Sequence, residues 1–415
     1  MPSDHAILSP SASKRWMTCA PSARLEAQCP REDTVYTLEG TIAHAVAETL
    51  LHFYKDRCLL PAEDILKEVA GMDPEQGTGK ILADLKKQAE DLGADFDEML
   101  RTVHDHYVVI VYSDYLEMKK ADPDAILLIE QRIDLSVFIP EGFGSADAII
   151  IAGKLLSVYD LKYGRGVKVD ASYNPQIMCY GLGALVGAGE TYDIQEVEMN
   201  IIQPRLKHSS TFLMDAAELR HWGFKVLRPA AEKAFVGEGD QIPGDHCRFC
   251  AVAPRCKALA GMAKGAQMRA AEPALMDLAD LAGVLSDIAT IKTWAASVEA
   301  YALEQAMKGN RIPGWKVVEG KSLRRYSDPK AVMERMAKGG FQEDSYLKPR
   351  EPKTITELEK LLRPKGFREL LGDLVEKPQG KPTLAPSDDP REELSSADMD
   401  FNDIALGATD TKDGL

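Results

Sequence analysis

Three short apolar runs follow one another in the middle of the chain, and their rhythm differs from what flanks them. Ala125–Val137 (AILLIEQRIDLSV), Ala148–Ala152 and Leu155–Tyr159 are rich in Ile, Leu and Val, which predicts strands. Gly153-Lys154 suits a tight turn, so the last two runs predict a hairpin. A fourth strand is predicted over Val197–Gln203. Elsewhere the spacing is helical. Ile42, Val46 and Leu50 recur at a helical period with Ala43 and Ala47 beside them, and the chain from Lys55 to Lys120 is polar and helical around a break at Gly71–Gly79. Ser9 before Pro10 predicts an N-cap and first residue for a short helix through Trp16, and Asn174-Pro175 opens another. Further on, Leu275–Met307, Ala331–Ala337 and Thr354–Leu374 read as helices, with a turn and strand over Ile312–Val318. Helix, three strands, helix, strand predicts an α/β fold, a mixed sheet flanked by helices.

Composition sets the scale. A chain of 415 residues with 45% hydrophobic content can bury a large core, and predicts one big domain with appendages. The sequence has neither an eighteen-residue apolar run nor a basic-then-apolar leader, so a cytoplasmic protein with no membrane span is expected. The net charge of −15 argues against a nucleic-acid partner until its distribution is considered. From Leu384 to Leu415 nine acids face two bases, and that stretch carries almost half of the excess. Rich also in Pro and Ser, the chain from Pro382 onward reads as a disordered, solubilising tail.

The chemistry gathers around the predicted hairpin. Such a hairpin can bring Asp147 and Asp160 to one end of a sheet, close enough to share a divalent cation. Asp160 and Lys162 are two apart on one strand and leave the same face. A carboxylate that holds Mg²⁺ or Mn²⁺ beside an ammonium that steadies a phosphate is what metal-assisted phosphodiester hydrolysis requires. Taken alone, an Asp-x-Lys triplet is more often a surface ion pair. Gln176 and Tyr180 share one face of the following helix, and Arg205 stands just beyond the fourth strand. His44 on the early helix reads by itself as a hydrogen-bonded structural residue. Glu130 reads as a supporting carboxylate or a solvated one, and His104 and His106 read as core or surface residues.

Seven cysteines, an odd count, argue for a reducing compartment and for metal ligation over disulfides. Cys247, Cys250 and Cys256 form a C-x₂-C-x₅-C cluster that supplies three ligands. The fourth must come from Cys19, His246, Cys29, Cys58 or Cys179. Zn²⁺ and a [4Fe–4S] cluster suit the set about equally. No G-x-x-x-x-G-K-[ST] loop is present, so nothing supports a nucleotide-driven motor.

Together the pieces resemble the PD-(D/E)XK nuclease superfamily, in its RecB/AddB-like, iron–sulfur-containing branch that includes the CRISPR-associated adaptation nucleases. That pattern runs from a helical His (His44) through a G-x-x-D strand (Gly144 to Asp147) and a (D/E)-x-K strand (Asp160-Leu161-Lys162) to a Q-x-x-x-Y helix (Gln176 to Tyr180). One cysteine before the core and three after it complete the order, here Cys19 with Cys247, Cys250 and Cys256. The resemblance covers roughly residues 5–260, and the remainder looks like the extension of a phage and prophage family.

The resemblance implies a restriction-endonuclease-like core over 1–262 with a helical insertion at about 55–120. A mostly helical region over 263–380, with a short strand near 312–318, and an acidic tail over 381–415 would follow. It implies that His44, Asp147, Asp160 and the carbonyl of Leu161 bind Mg²⁺ or Mn²⁺, that Lys162 activates water, and that Gln176 and Tyr180 contact DNA. It implies a structural [4Fe–4S] cluster on Cys19, Cys247, Cys250 and Cys256, with Zn²⁺ as the alternative. The expected activity is a metal-dependent deoxyribonuclease, an exonuclease in phage DNA recombination or repair. Its substrate would be single-stranded DNA or free ends, with a recombination or single-strand-binding protein as a further partner. A catalytically inactive DNA-holding scaffold and a zinc-binding interaction protein are the competing readings.

Overall fold

The structure is a computed structural model, and it describes residues 6–29, 34–55, 64–189, 191–269, 278–320, 324–348, 351–376, 382–386 and 391–394. Two units divide it, Met1–Ala295 and Ala296–Leu415. The division falls inside a helix, Leu278–Met307, whereas the sequence reading drew a boundary at 262.

The first unit opens with α1 (Ser13–Thr18) and α2 (Ser22–Glu26), then α3 (Val35–Tyr54). A helical layer follows, comprising α4 (Ile65–Ala70), α5 (Gly77–Asp91), α6 (Phe96–Val103) and α7 (Val109–Ala121). A π turn, His104–Val108, joins α6 to α7. The sheet then forms from β1 (Ile126–Asp134), β2 (Phe143–Ala152) and β3 (Leu155–Leu161). Helix α8 (Pro175–Ala188) leads to β4 (Glu196–Gln203) and β5 (His208–Asp215), and α9 (Ala216–Trp222), α10 (Arg228–Val236) and α11 (Lys257–Arg269) complete the unit's main elements. The five strands pair in chain order, antiparallel except for β3 against β4. This is a mixed sheet flanked by helices.

Each face of the sheet buries one helical layer. Ile149, Ile151, Leu156, Val158 and Ile201 pack with α8, α9 and α10 and with Trp16 of α1. Leu127, Ala148, Ile150, Tyr159 and Leu161 pack with α3 and α5–α7. The α3 positions at helical spacing, Ile42, Val46 and Leu50, are all buried there. The hairpin turn forms where expected: Ala152 pairs with Leu155 and Gly153 takes φ +55, a left-handed conformation that costs glycine little. Strand β5 was not foreseen. Its inward positions are His208, Ser210, Phe212 and Met214 while Leu213 faces outward, so the period-2 apolar signal is faint.

The chain's start differs from the expectation for Ser9. Pro10–Ala12 forms a 3₁₀ turn ahead of α1, and Ser9 makes no cap bond. Its hydroxyl instead meets Ser11 Oγ at 3.2 Å, and its carbonyl accepts from Trp16 Nε1 at 3.0 Å. The indole anchor replaces the cap. A closer fit still occurs at Gly223, where an added Cβ would stand 2.6 Å from Leu182 Cδ2 and 2.9 Å from Phe138 Cε1. Gly223→Ala should therefore cost about 1–3 kcal/mol in urea unfolding, as overpacked cores do. An unchanged midpoint would mean that the α8–α9 contact yields freely.

In the second unit, helices Pro329–Lys338 and Ile355–Leu371 pack through Val332, Met336, Leu358, Phe367 and Leu371. Asp328 caps the first, and a Thr354–Glu357 capping box starts the second. Strand Trp315–Glu319 pairs antiparallel with Pro382–Pro386, and Val318 bridges Glu393. This corrects the expectation of disorder from Pro382 onward for those residues. Proline is tolerated at the ends of a short edge strand, where no ladder donor is needed. Residues 395–415 lie outside those described.

Candidate active site

Asp147 and Asp160 meet at one end of the sheet. Asp147 lies on β2 just before its pairing with β3 begins, and Asp160 lies near the end of β3. Asp147 Oδ2 accepts the backbone N–H of Leu161 at 2.6 Å, and His44 Nδ1 stands 3.2 Å from Asp147 Oδ1. Lys162 Nζ donates to Asp160 Oδ1 at 3.1 Å and lies 2.9 Å from Oδ2, and Gln176 Nε2 also reaches Oδ1, at 3.2 Å. The same amide lies 3.4 Å from the Tyr180 hydroxyl. The predicted set is brought together.

Local chemistry explains why these side chains hold their places. Asn174 Oδ1 accepts the Gln176 N–H, and Pro175 occupies the first turn, so α8 starts where Gln176 faces β3. Gly144 lets Tyr180 close on β2, since a Cβ there would meet Tyr180 Cε1 and Pro10 Cγ at 3.1 Å each. The sheet's pleat inverts beside Asp147. Ile129 and Ala148 face the α3–α7 layer, whereas Ile133 and Ala146 face the α8 layer. That inversion lets one sheet end receive His44 from one layer and Gln176 from the other.

Asp160 is 3% exposed, and its Oδ2 has no hydrogen-bond donor at acceptable geometry although the Lys162 ammonium is near. Burial raises its pKa, the Lys162 charge works against that, and the net direction is up. Glu130 is raised to about 7, by burial first and by the Asp147 carboxylate second. Burial would lower His44, but the Asp147 charge and hydrogen bond, with help from Asp160, outweigh it and raise the imidazole. Metal-free protein should therefore lose stability as pH rises. Between its ordinary value of 4.5 and about 7, folded Glu130 keeps a proton that the unfolded chain has released. The His44 contribution is complete below 6.5 and is lost as pH rises through its raised folded value. Melting in EDTA across pH 4 to 9 checks this. Glu130→Gln should flatten the lower half of the fall, and a melting temperature that climbs across this window would refute it.

The ligand atoms of His44, Glu130 and Asp147 all lie within 4.8 Å of one another, so Glu130 is part of the cluster rather than a support to it. Tyr107, on the π turn, has a fully buried hydroxyl without a hydrogen-bond partner, and the charges of Asp147, Asp160 and Glu130 help burial to raise its pKa. No sequence signal marked it. Arg205 Nη1 pairs with Glu39 at 2.7 Å and its guanidinium stacks 4.6 Å from the Tyr163 ring, so its charge is already matched. His104 is structural: its Nε2 meets Tyr54 Oη at 2.9 Å. His106 lies on the same π turn.

A second assembly lies around α1. Cys19, Cys247, Cys250 and Cys256 line one cavity together with His246, although no three of the sulfurs fall within 4.8 Å of one another. Two 3₁₀ turns, Asp245–Phe249 and Ala253–Arg255, present the cysteine triplet. Arg15 donates to the Phe249 carbonyl at 3.2 Å, and Glu26 accepts the Ala251 N–H at 2.8 Å. Burial pushes the Cys250 thiol up to about 12, with the Glu26 charge adding, and raises Cys247 too. Cys179 is buried within α8, Cys29 contacts Arg255, and neither lines the cavity. Cys58 lies outside the described residues.

Among the described residues, no helix is long and apolar enough to cross a membrane. The crystal structure of SSO0001 aligns with 59% of this chain and 96% of its own length at 14% identity, with a TM-score of 0.20, too low to establish a shared fold. A family model matches residues 5–392, nearly the whole chain. By that match the chain belongs to the family described as protein of unknown function (DUF2800).

Proposed function

We propose that the chain is a divalent-metal-dependent DNA nuclease of the PD-(D/E)XK type. One observation carries the reading: His44, Asp147, Asp160, Lys162, Gln176 and Tyr180, from α3, β2, the β3 end and α8, meet in one set of polar contacts around Asp160-Leu161-Lys162. A buried Asp160 carboxylate whose Oδ2 lacks a well-aligned hydrogen bond, with the Lys162 ammonium 2.9 Å away and a His–carboxylate cluster beside it, fits a cation. His44, Asp147, Asp160 and the Leu161 carbonyl would hold Mg²⁺ or Mn²⁺, which polarises the scissile phosphate and lowers the pKa of a bound water.

The chain's own groups do the rest. Asp160 Oδ1 accepts from two donors, the Lys162 ammonium and the Gln176 amide, which fix the orientation of the carboxylate. The Lys162 ammonium sets a fixed positive charge where phosphate charge develops. Tyr180 contacts the Gln176 amide, keeping it on Asp160. The cysteine cavity reads as a [4Fe–4S] site on Cys19, Cys247, Cys250 and Cys256, which would tie α1 to the end of the core. DNA recombination or repair in a phage setting is the role we assign to the activity.

End-labelled single- and double-stranded DNA with Mn²⁺ tests the proposal. Degradation that EDTA stops supports it, and the product ladder gives the polarity of an exonuclease. If anaerobically prepared, metal-replete protein cuts neither substrate, a DNA-holding scaffold replaces the nuclease.

A further inference from the structure

The loop that carries the chain from β3 to α8 is stitched to the sheet. Buried Gln203 accepts the Val169 N–H at 2.7 Å and donates to the Val167 carbonyl at 2.9 Å. Ser210 of β5 accepts the Ala171 N–H at 3.0 Å and donates to Asp170 Oδ1 at 3.1 Å. So held, the loop leads to Tyr173, which takes φ +49, a left-handed conformation rare for a bulky residue. Its ring lies 4.8 Å from that of Phe212 on the edge strand, yet Tyr173 remains 65% exposed. The pair shares a face of the sheet with the candidate site. Phe212 and Ile201 pack toward the α8 layer, and Asp160 meets Gln176 of α8. Asp160 stands level with Ile201 and Ile201 with Ser210, so Asp160 and Ser210 are two strands apart, about 10 Å at the usual strand spacing. Against a net charge of −15, both segments at this sheet end are basic. Residues 162–169 hold Lys162, Arg165 and Lys168 without an acid, and 204–208 hold Arg205, Lys207 and His208 without one. Arg165 and Arg205 pair with Glu98 and Glu39, and Lys168 and Lys207 stand exposed.

We propose that Tyr173 and Phe212 form a stacking step for an unpaired base of single-stranded DNA, whose backbone runs past Lys168 and Lys207 toward Asp160. The step rests on the nuclease reading for its substrate class and names the form of DNA that reaches the site. An exposed ring on a rigid loop presents a π face that a base can cover, and every base has such a face, so the step accepts any sequence. Bases in a duplex are already stacked on one another and do not reach it. The separation of about 10 Å between Ser210 and Asp160 corresponds to roughly three nucleotides at about 3.4 Å per nucleotide of one strand. Phosphates between the stacked base and the site then pass the basic segments, where an otherwise acidic chain offers them positive charge. A protein partner docked on the same rings would leave those lysines without a role, which favours the nucleic acid.

Binding is measured first, by fluorescence anisotropy of a labelled short oligothymidylate and of a blunt hairpin duplex on the full-length chain, with Ca²⁺ replacing Mn²⁺. Tyr173→Asn removes the ring and suits the left-handed backbone, so the fold is kept. It should weaken oligothymidylate binding by about tenfold and leave the duplex unchanged. Tyr173→Phe retains the ring face and should bind as the wild type does. Lys168→Ala should lessen the slope of log affinity against log salt by about 0.7. Wild-type affinity for oligothymidylate in Tyr173→Asn would overturn the proposal, as would an equal loss on both DNAs or an equal loss in Tyr173→Phe. Wild-type protein that does not hold the oligothymidylate overturns it too. Cleavage in Mn²⁺ then separates the two readings. Tyr173-dependent binding without any cleavage retires the nuclease and leaves the stacking step standing. Oligothymidylate cut as fast by Tyr173→Asn as by the wild type at low substrate concentration does the reverse.

Discussion

Lys162→Ala should lower Mn²⁺-dependent cleavage of end-labelled DNA by roughly 10³-fold, the scale seen when one preorganised charge-stabilising group is removed from a dry site. Two effects combine. The ammonium that would face the reacting phosphate is lost. Asp160 is also left 3% exposed with the Gln176 amide as its one remaining side-chain donor, and its pKa, already raised by burial, rises further once the opposing Lys162 charge is gone. A carboxyl that keeps its proton binds a cation poorly. Raising the pH should therefore recover part of the loss in Lys162→Ala, because it restores the Asp160 carboxylate but not the ammonium. Asp160→Asn should show no such recovery. Wild-type rates in Lys162→Ala would end the nuclease reading, since an incidental ion pair is then all that the triplet provides.

The second large effect is expected at the cysteine cavity. Cys19 and Cys247 are more than two hundred residues apart, so a shared inorganic group would close a very long loop of the unfolded chain. By the chain-entropy relation for crosslinks, such a closure is worth about 5 kcal/mol. That is comparable with the whole stability of many domains. Cys250→Ser should thus bleach the brown colour expected of anaerobically purified protein and leave the first unit largely unfolded at growth temperature. Cys179→Ser serves as the control, because Cys179 is more deeply buried than Cys250 but lies in α8 away from the cavity. It should lose some stability and keep its colour. Colourless wild-type protein with one bound zinc per chain would replace the cluster by a Zn²⁺ site, with His246 as an available ligand. A Cys250→Ser protein that is as stable as the wild type would remove both.

The two assemblies were legible to different degrees. The Cys-x₂-Cys-x₅-Cys spacing announces a metal or cluster site, but five residues competed for the fourth position, and spacing alone could not choose. The fold narrows the five to Cys19 and His246, which line the cavity with the triplet where the Arg15 and Glu26 contacts bring the 245–256 segment against α1. Gln176 and Tyr180 were readable because i and i+4 on a capped helix share a face wherever that helix goes. Arg205 was placed by position alone, and its ion pair with Glu39 lies 166 residues upstream, a pairing that no local pattern encodes.

The type and order of the first four strands and of helices α3 and α8, the hairpin at Gly153, the helical period of α3 and the pairing of Asp160 with Lys162 were determined by the sequence itself. Each depends on backbone preference and on side-chain spacing of a few residues, which are local quantities. Tertiary structure alone decided the parallel pairing of β3 with β4, the addition of β5, the edge pairing of Pro382–Pro386 and the place of Glu130. Those depend on which surfaces remain to be buried once the sheet assembles. The pleat inversion opposite Asp147 is the clearest case. An Ile-Glu-Gln run reads as ordinary strand, and only contact with both helical layers at once brings its glutamate beside His44 and Asp147.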